Sequence, residues 1–146
     1  MGIFKTGFTL IEIILSLALV AILAATSVPL YRALVVRNDL DVTAGTIAQT
    51  LRRAEALAFA VDGNTGWGVA IGAGGITLFK GTTFTSRDQN FDERFDVPAD
   101  VAASGPGEID FANFLGTPQQ TGAIILISNT NESRTITVNA KGTVNY

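Results

Sequence analysis

The first thirty residues, MGIFKTGFTLIEIILSLALVAILAATSVPL, hold one long apolar run with a single carboxylate in it. Between Lys5 and Arg32 the only charged side chain is Glu12. The run is long enough to span a bilayer, which takes about 20 apolar residues. An acid near the bilayer centre costs about 2.5–3.5 kcal/mol on insertion scales, so it implies a function and a partner. No Lys, Arg or His stands within a helical turn or two of Glu12. Its partner must come from another chain, or from a terminus created by cleavage.

The stretch Lys5-Thr6-Gly7-Phe8-Thr9-Leu10-Ile11-Glu12 resembles the cleavage and methylation signal of type IV prepilins. That signal is a short basic leader ending in Gly, then Phe, then Thr-Leu-Ile-Glu, then an apolar helix. The resemblance implies a leader over residues 1–7, a cut between Gly7 and Phe8 by prepilin peptidase, and N-methylation of Phe8. Glu12 becomes the fifth residue of the mature chain, and the new α-amine of Phe8 becomes a cation at the same depth. Within one helix Glu12 lies about one turn from its own amine. In assembled pilin-like filaments the implied partner is the amine of the adjacent subunit, and the pair fixes axial register. Such a pair is strongly coupled in low dielectric, although desolvation offsets much of the gain.

The competing reading is an ordinary secretory signal peptide, with Lys5 as its basic region and Ala25-Thr26-Ser27 as a cleavage site. Against it, Glu12 falls inside what would be the apolar core of that signal, and the run is longer than such a signal needs. Positive-inside counting does not orient the helix, because Lys5 and the amino terminus lie on one side and Arg32 and Arg37 on the other. A cytoplasmic leader is implied by the resemblance alone.

Beyond the run there is room for one modest domain in a chain of 146 residues. Formal net charge is −3, and loss of Lys5 with the leader lowers it to −4. From Asp62 onward five basic residues stand against nine acidic ones, a poor surface for a phosphate backbone. There is no Cys, so the domain relies on its core, the helix and assembly rather than on disulfides. No His and no Cys also means that the commonest catalytic bases and nucleophiles are missing, which argues against an enzyme.

Helix is expected from Phe8 to about Val28, with Ala18, Ala21 and Ala25 near one face, where small residues let helices approach. Alanines common to any membrane helix explain that face equally well. Pro29 removes its own N–H and clashes with the carbonyl of Ala25, so a kink or a melted stretch is expected there. Leu40, Ala44, Ile47, Leu51, Ala54, Ala58 and Val61 then repeat at three and four residues, a stripe that docks on a globular core. One helix therefore runs from about Phe8 to about Val61, capped at its end by Gly63. Trp67 to Ile71 and Ile76 to Phe79, joined by Gly72–Gly75, read as a β-hairpin rather than a phosphate loop. Phe84 to Asp100 reads as polar loop with a short strand at Arg94–Val97. Further strands are expected at Glu108–Phe111, Ala123–Ser128, Arg134–Asn139 and Thr143–Tyr146. The fold class is α+β, pilin-like: one long N-terminal helix packed on a small antiparallel β-sheet domain. Its parts are a leader (1–7), a transmembrane or filament-core helix (8–30), an amphipathic continuation (31–61) and a β-rich domain (62–146).

The string Ile76-Thr-Leu-Phe79-Lys-Gly81, then Ile109-Asp-Phe111 with Leu115-Gly116, then Arg134 to Gly142 resembles the GspH/FimT-like minor pilins and pseudopilins. The absence of Cys departs from pilins that close a C-terminal disulfide loop. The resemblance implies a structural subunit of a type IV pilus or type II secretion system. It is held in the bacterial inner membrane with a cytoplasmic N-terminus, then moves into a periplasmic or extracellular filament. Implied partners are prepilin peptidase, other pilin or pseudopilin subunits, an inner-membrane assembly platform, and lipid before assembly. The alternatives are a major pilin, or a membrane-anchored extracellular binding module such as one for DNA uptake. No cofactor is implied. Asp88, Asp92, Glu93 and Asp96 could supply oxygen ligands to Ca²⁺, although their spacing is not that of an EF-hand, and a solvated acidic loop is the competing reading. Some FimT-like proteins bind DNA through basic C-terminal hairpins. The matching region here offers only Arg134 and Lys141, with Glu132 beside them, so nucleic acid is not expected as a partner. Asn131-Glu132-Ser133 fits a glycosylation sequon, as many turns do.

Overall fold

The computed structural model describes residues 7–61, 64–72 and 74–146, with side chains for all of these except 26–30. Lys5 and most of the expected leader lie outside the described residues, as do Gly63 and the side chain of Pro29. The described chain divides into two compact units, residues up to Val35 and Val36–Tyr146.

Helix α1 spans Leu10–Phe59. It starts at Thr9, whose carbonyl accepts the first helical bond from the Ile13 N–H (3.2 Å). The Thr9 hydroxyl accepts from the Glu12 N–H (3.4 Å), so Thr9 is the N-cap and Glu12 the third helical residue. Thr-x-x-Glu before an apolar run is the capping-box pattern, and one half of that box is formed here. The backbone is helical from Ala24 through Leu30, so no melted stretch interrupts α1 at Pro29 in the single chain. One proline removes a single bond from a ladder that the long flanking segments sustain.

In the first unit the apolar side chains of α1 face outward: Leu10, Ile14, Leu17, Val20 and Leu23 are all exposed. Among the described residues no helix is long and apolar enough to cross a membrane. The expected membrane span over 8–30 is not supported by the described structure, and the side chains of residues 26–30 within it lie outside the described ones.

In the second unit α1 turns its stripe inward. Leu40, Ala44, Ile47, Leu51, Ala54 and Ala58 are buried, joined by Ala48. Thr43 and Thr50 are buried beside them, each hydroxyl donating to the carbonyl one turn back, at Asp39 and Thr46 (both 2.7 Å). Val61 departs from the expected stripe: it is half-buried and adopts φ 58°, ending the helix in a left-handed residue. The Asn64 N–H then donates to the Val61 carbonyl (3.1 Å). The described helix end is therefore a left-handed valine ahead of the glycine expected to cap it.

Among the described residues eight strands follow, in two antiparallel four-stranded sheets rather than the one expected. They are β1 (Trp67–Gly72), β2 (Gly75–Lys80), β3 (Asp88–Asp96), β4 (Val101–Ser104), β5 (Glu108–Phe111), β6 (Gly122–Ser128), β7 (Ser133–Val138) and β8 (Val144–Asn145). The first sheet has order β3-β2-β1-β5 and the second β4-β6-β7-β8. The hairpin β1–β2 pairs Trp67 with Lys80 and closes at Gly72–Gly75, as the glycine cluster predicts. Inward residues of both sheets (Val69, Ile76, Leu78, Ile109, Ile124, Leu126 and Ile136) meet the helix stripe in one core.

One strand is longer than expected and another was not expected. β3 extends the short strand expected at Arg94–Val97 back to Asp88, through the segment read as polar loop, and all of its residues are exposed or half-buried. Its strand character comes from pairing with β2, Ile76 opposite Phe95 and Leu78 opposite Glu93, not from any apolar alternation. β4 is four residues with only Val101 buried, too short to announce itself.

Candidate assembly site and charged surface

Gly7, Phe8 and Thr9 precede the helix in irregular, exposed backbone. Among the described residues nothing stands within 4 Å of where a Gly7 side chain would be, and Phe8 is 77% exposed. A peptide bond in this setting is open to a protease. Glu12 is exposed one turn into α1, and among the described residues no cation forms an ion pair with it. Its carboxylate lies at the positive end of the helix dipole, and its carbonyl accepts from the Ser16 hydroxyl (2.7 Å). Ala18, Ala21 and Ala25 are exposed on the same helix. Thr9 was missed as a cap, although the Thr-x-x-Glu spacing signals it.

The acidic residues offered as calcium ligands are not brought together. On β3, Asp92 and Glu93 are adjacent and so point to opposite faces. Arg87 Nε donates to both Asp92 oxygens (3.0 and 2.8 Å), and Arg53 grips Glu93 with two bonds of 2.6 Å. Asp88 accepts from Asn90, and Asp96 lies 3.9 Å from Arg94. Among the described residues no group of three or more acidic side chains could hold a metal ion. The acidic run is an edge strand tied down by arginines, a charged edge of the kind that discourages stray strand pairing.

The basic candidates fare similarly. Arg134 Nε donates to Asp41 at 2.7 Å, bonding β7 to α1, and Lys141 is exposed on the β7–β8 turn. Arg37 pairs with Glu132 (3.5 Å). The basic residues of the hairpin region therefore form no continuous patch. Asn131, of the sequon, sits in the β6–β7 turn at φ 61°, its N–H donating to the Ser128 carbonyl (3.0 Å).

Among the described residues two carboxyls outside these sets are shifted. Burial pushes Glu55 up. Burial raises Asp110 as well, with a hydrogen bond from its own backbone opposing and the Glu108 charge adding.

Comparison with known proteins gives two independent likenesses. Residues 5–28 match the family model of the prokaryotic N-terminal methylation motif. The fold matches the minor pseudopilin EpsH from the type 2 secretion system of Vibrio cholerae, with a TM-score of 0.55 and 12% identity. The match covers 73% of this chain and 94% of that one. No curated protein matches the sequence. The motif match is confined to residues 5–28, and the structural match, at 12% identity, shows the fold. The shared fold is α+β, a long N-terminal helix with antiparallel sheets, as a minor pseudopilin has.

Proposed function

We propose that the chain is a GspH/FimT-like minor pilin or pseudopilin, a subunit of a type IV pilus or type II secretion system. Prepilin peptidase cuts between Gly7 and Phe8, Phe8 is N-methylated, and the mature chain waits in the inner membrane through residues 8–30. An assembly platform then adds it to a filament whose interior is built from helices like α1. Glu12 meets the α-amine of Phe8 of a neighbouring subunit and sets axial register, and Pro29 marks where α1 bends or unwinds on entry. Before assembly the exposed apolar side chains from Leu10 to Leu23 are covered by lipid, afterwards by other helices.

The observation that carries this reading is the motif over residues 5–28 running directly into α1. The cut site is exposed, and Glu12 follows it within the first helical turn. A DNA-uptake module is less well supported, because Arg134 is already engaged by Asp41. Mass spectrometry of the native protein's N-terminus tests the proposal. A chain beginning at N-methylated Phe8 is expected, whereas one beginning at Val28 would mean an ordinary secreted protein.

A further inference from the structure

The two sheets have four edges among the described residues, at β3, β5, β4 and β8. An open edge is a template for strand pairing, and folded chains guard it. Three of the four are guarded. β3 carries acids tied down by Arg53 and Arg87. Beside β5 the chain doubles back: Pro118 bridges to Phe111, and the Gln119 N–H donates to the Asp110 carbonyl (2.9 Å). β8 is two residues long, and Arg52 donates to its Val144 carbonyl (3.0 Å).

β4 has no such guard. Its register with β6 sets Val101 opposite Ser128 and Ser104 opposite Ile125. Just before it, the Asp100 carbonyl accepts from the Asn129 N–H (3.0 Å). Bonded pairs alternate along an antiparallel ladder, so Ala102 and Ser104 bond to β6 while Val101 and Ala103 aim their backbone groups outward. The Val101 N–H is taken by the Pro98 carbonyl (3.0 Å). Among the described residues the Ala103 N–H and carbonyl meet no partner, and Ala102, Ala103 and Ser104 are all exposed.

The surroundings of this edge are uncharged. The outer face of the sheet runs from Ala102 and Ser104 through Ile125 and Ile127 to Thr135 and Thr137, and no strand places a charged residue on it. Ile125 and Ile127 are 39% and 41% exposed there. The outward groups at Ala103 favour one antiparallel register, in which Ala103 stands opposite a second Ala103 and each N–H donates to the other's carbonyl. Ala102 then falls opposite Ser104. The nearest acids, Asp100 and Glu108, fall opposite Pro106 and Pro98 rather than opposite each other. The segment is therefore complementary to itself in size, in charge and in its backbone donors and acceptors.

We propose that β4 pairs antiparallel with β4 of a second copy of this chain, joining two sheets into one about a two-fold axis at Ala103. Two chains of net charge −3 thereby meet along a seam where neither carries charge. A two-fold contact closes on itself as a dimer and does not propagate, so it is distinct from a helical filament contact. β4 lies wholly within the Val36–Tyr146 unit, so the inference stands apart from cleavage at Gly7.

The chain has no Cys, so an introduced thiol reports a single contact. Ala103→Cys and Gln89→Cys, the latter on the guarded edge β3, are compared in the full chain in detergent. Opposed residues of a bonded pair stand about 5.5 Å apart at Cα, within reach of a disulfide. Under mild oxidation Ala103→Cys is expected to cross-link about ten-fold faster than Gln89→Cys. Equal rates would overturn the proposal, because association through α1 alone brings both thiols together alike. Native mass spectrometry of Ala103→Lys and Ala103→Glu gives the second readout, with thermal melts checking that each folds. Each variant alone is expected to be monomeric, and their mixture to pair, since Lys then faces Glu across the axis. A monomeric wild type, or a dimer that Ala103→Lys leaves intact, would overturn the proposal. The thiol comparison decides it even if neither charge is tolerated.

Discussion

Val61 ends α1 with a branched side chain at φ 58°, where L-residues lose roughly 1–2 kcal/mol and β-branched ones fit worst. Asparagine tolerates that conformation far better. Val61→Asn is therefore expected to stabilise the chain by about 0.5–1 kcal/mol, read as a higher denaturant midpoint at unchanged slope. Asp110 carries the opposite kind of cost. It is 3% exposed on β5, and its folded pKa lies above the ordinary value of 3.8. The folded state therefore binds the proton more tightly than the unfolded state, and the sign follows. Asp110 disfavours folding least below the ordinary value, and its cost grows as pH rises through the raised one. Asp110→Asn removes that dependence. Denaturant midpoints from about pH 4 to pH 8 should fall less steeply for the variant, which should also be the more stable chain at neutral pH. Parallel curves for the two proteins would show that burial of the carboxylate is not the cause.

At the scale of elements, the two halves of α1 share helical geometry and differ in what surrounds them. Leu51 is fully buried against the sheets, whereas Ile14 is 57% exposed. Leu51→Ala is expected to cost about 2–5 kcal/mol, as large-to-small changes in a packed core do. Ile14→Ala should leave the urea melt of the Val36–Tyr146 unit unmoved, and a shift comparable to that of Leu51→Ala would contradict the division. The same contrast explains what could be read without a structure. Leu40, Ala44, Ile47 and Leu51 repeat with the helical period because one face is buried, and Ile124, Leu126 and Ser128 alternate because β6 has one wet side. β3 has no buried face, so Phe91 and Phe95 among its acids carry no period, and only the partner strand β2 makes it a strand. The two-sheet arrangement was hidden for a related reason: register and neighbour are set by long-range pairing, such as Val69 with Ile109, which no local pattern records. Thr9 could have been read from its spacing to Glu12. The surroundings of Glu55 could not, because Gly116 and Gly142 are far from it in the chain and meet it only through the fold.

At the scale of the whole molecule, a capped apolar helix belongs to one unit and a core-bearing domain to the other, and Glu12 has a candidate role in both local and collective structure. As third residue of a capping box it could serve its own helix, a function that glutamine performs nearly as well. As partner of a neighbouring subunit's α-amine it must carry charge, and there glutamine fails. The two roles separate cleanly by substitution. Glu12→Ala and Glu12→Gln should both be cut before Phe8 and both remain membrane-associated, because neither change touches Gly7 and both remove a charge from the apolar run. If charge pairing governs register, both variants should lose incorporation into filaments to a similar degree, measured as the sheared filament fraction against the membrane pool. If capping governs, Glu12→Gln should assemble almost normally while Glu12→Ala loses about 0.3–1.5 kcal/mol of helix stability at its start. Near-normal assembly by Glu12→Gln would therefore remove the amine from the mechanism and leave Glu12 a residue that starts a helix.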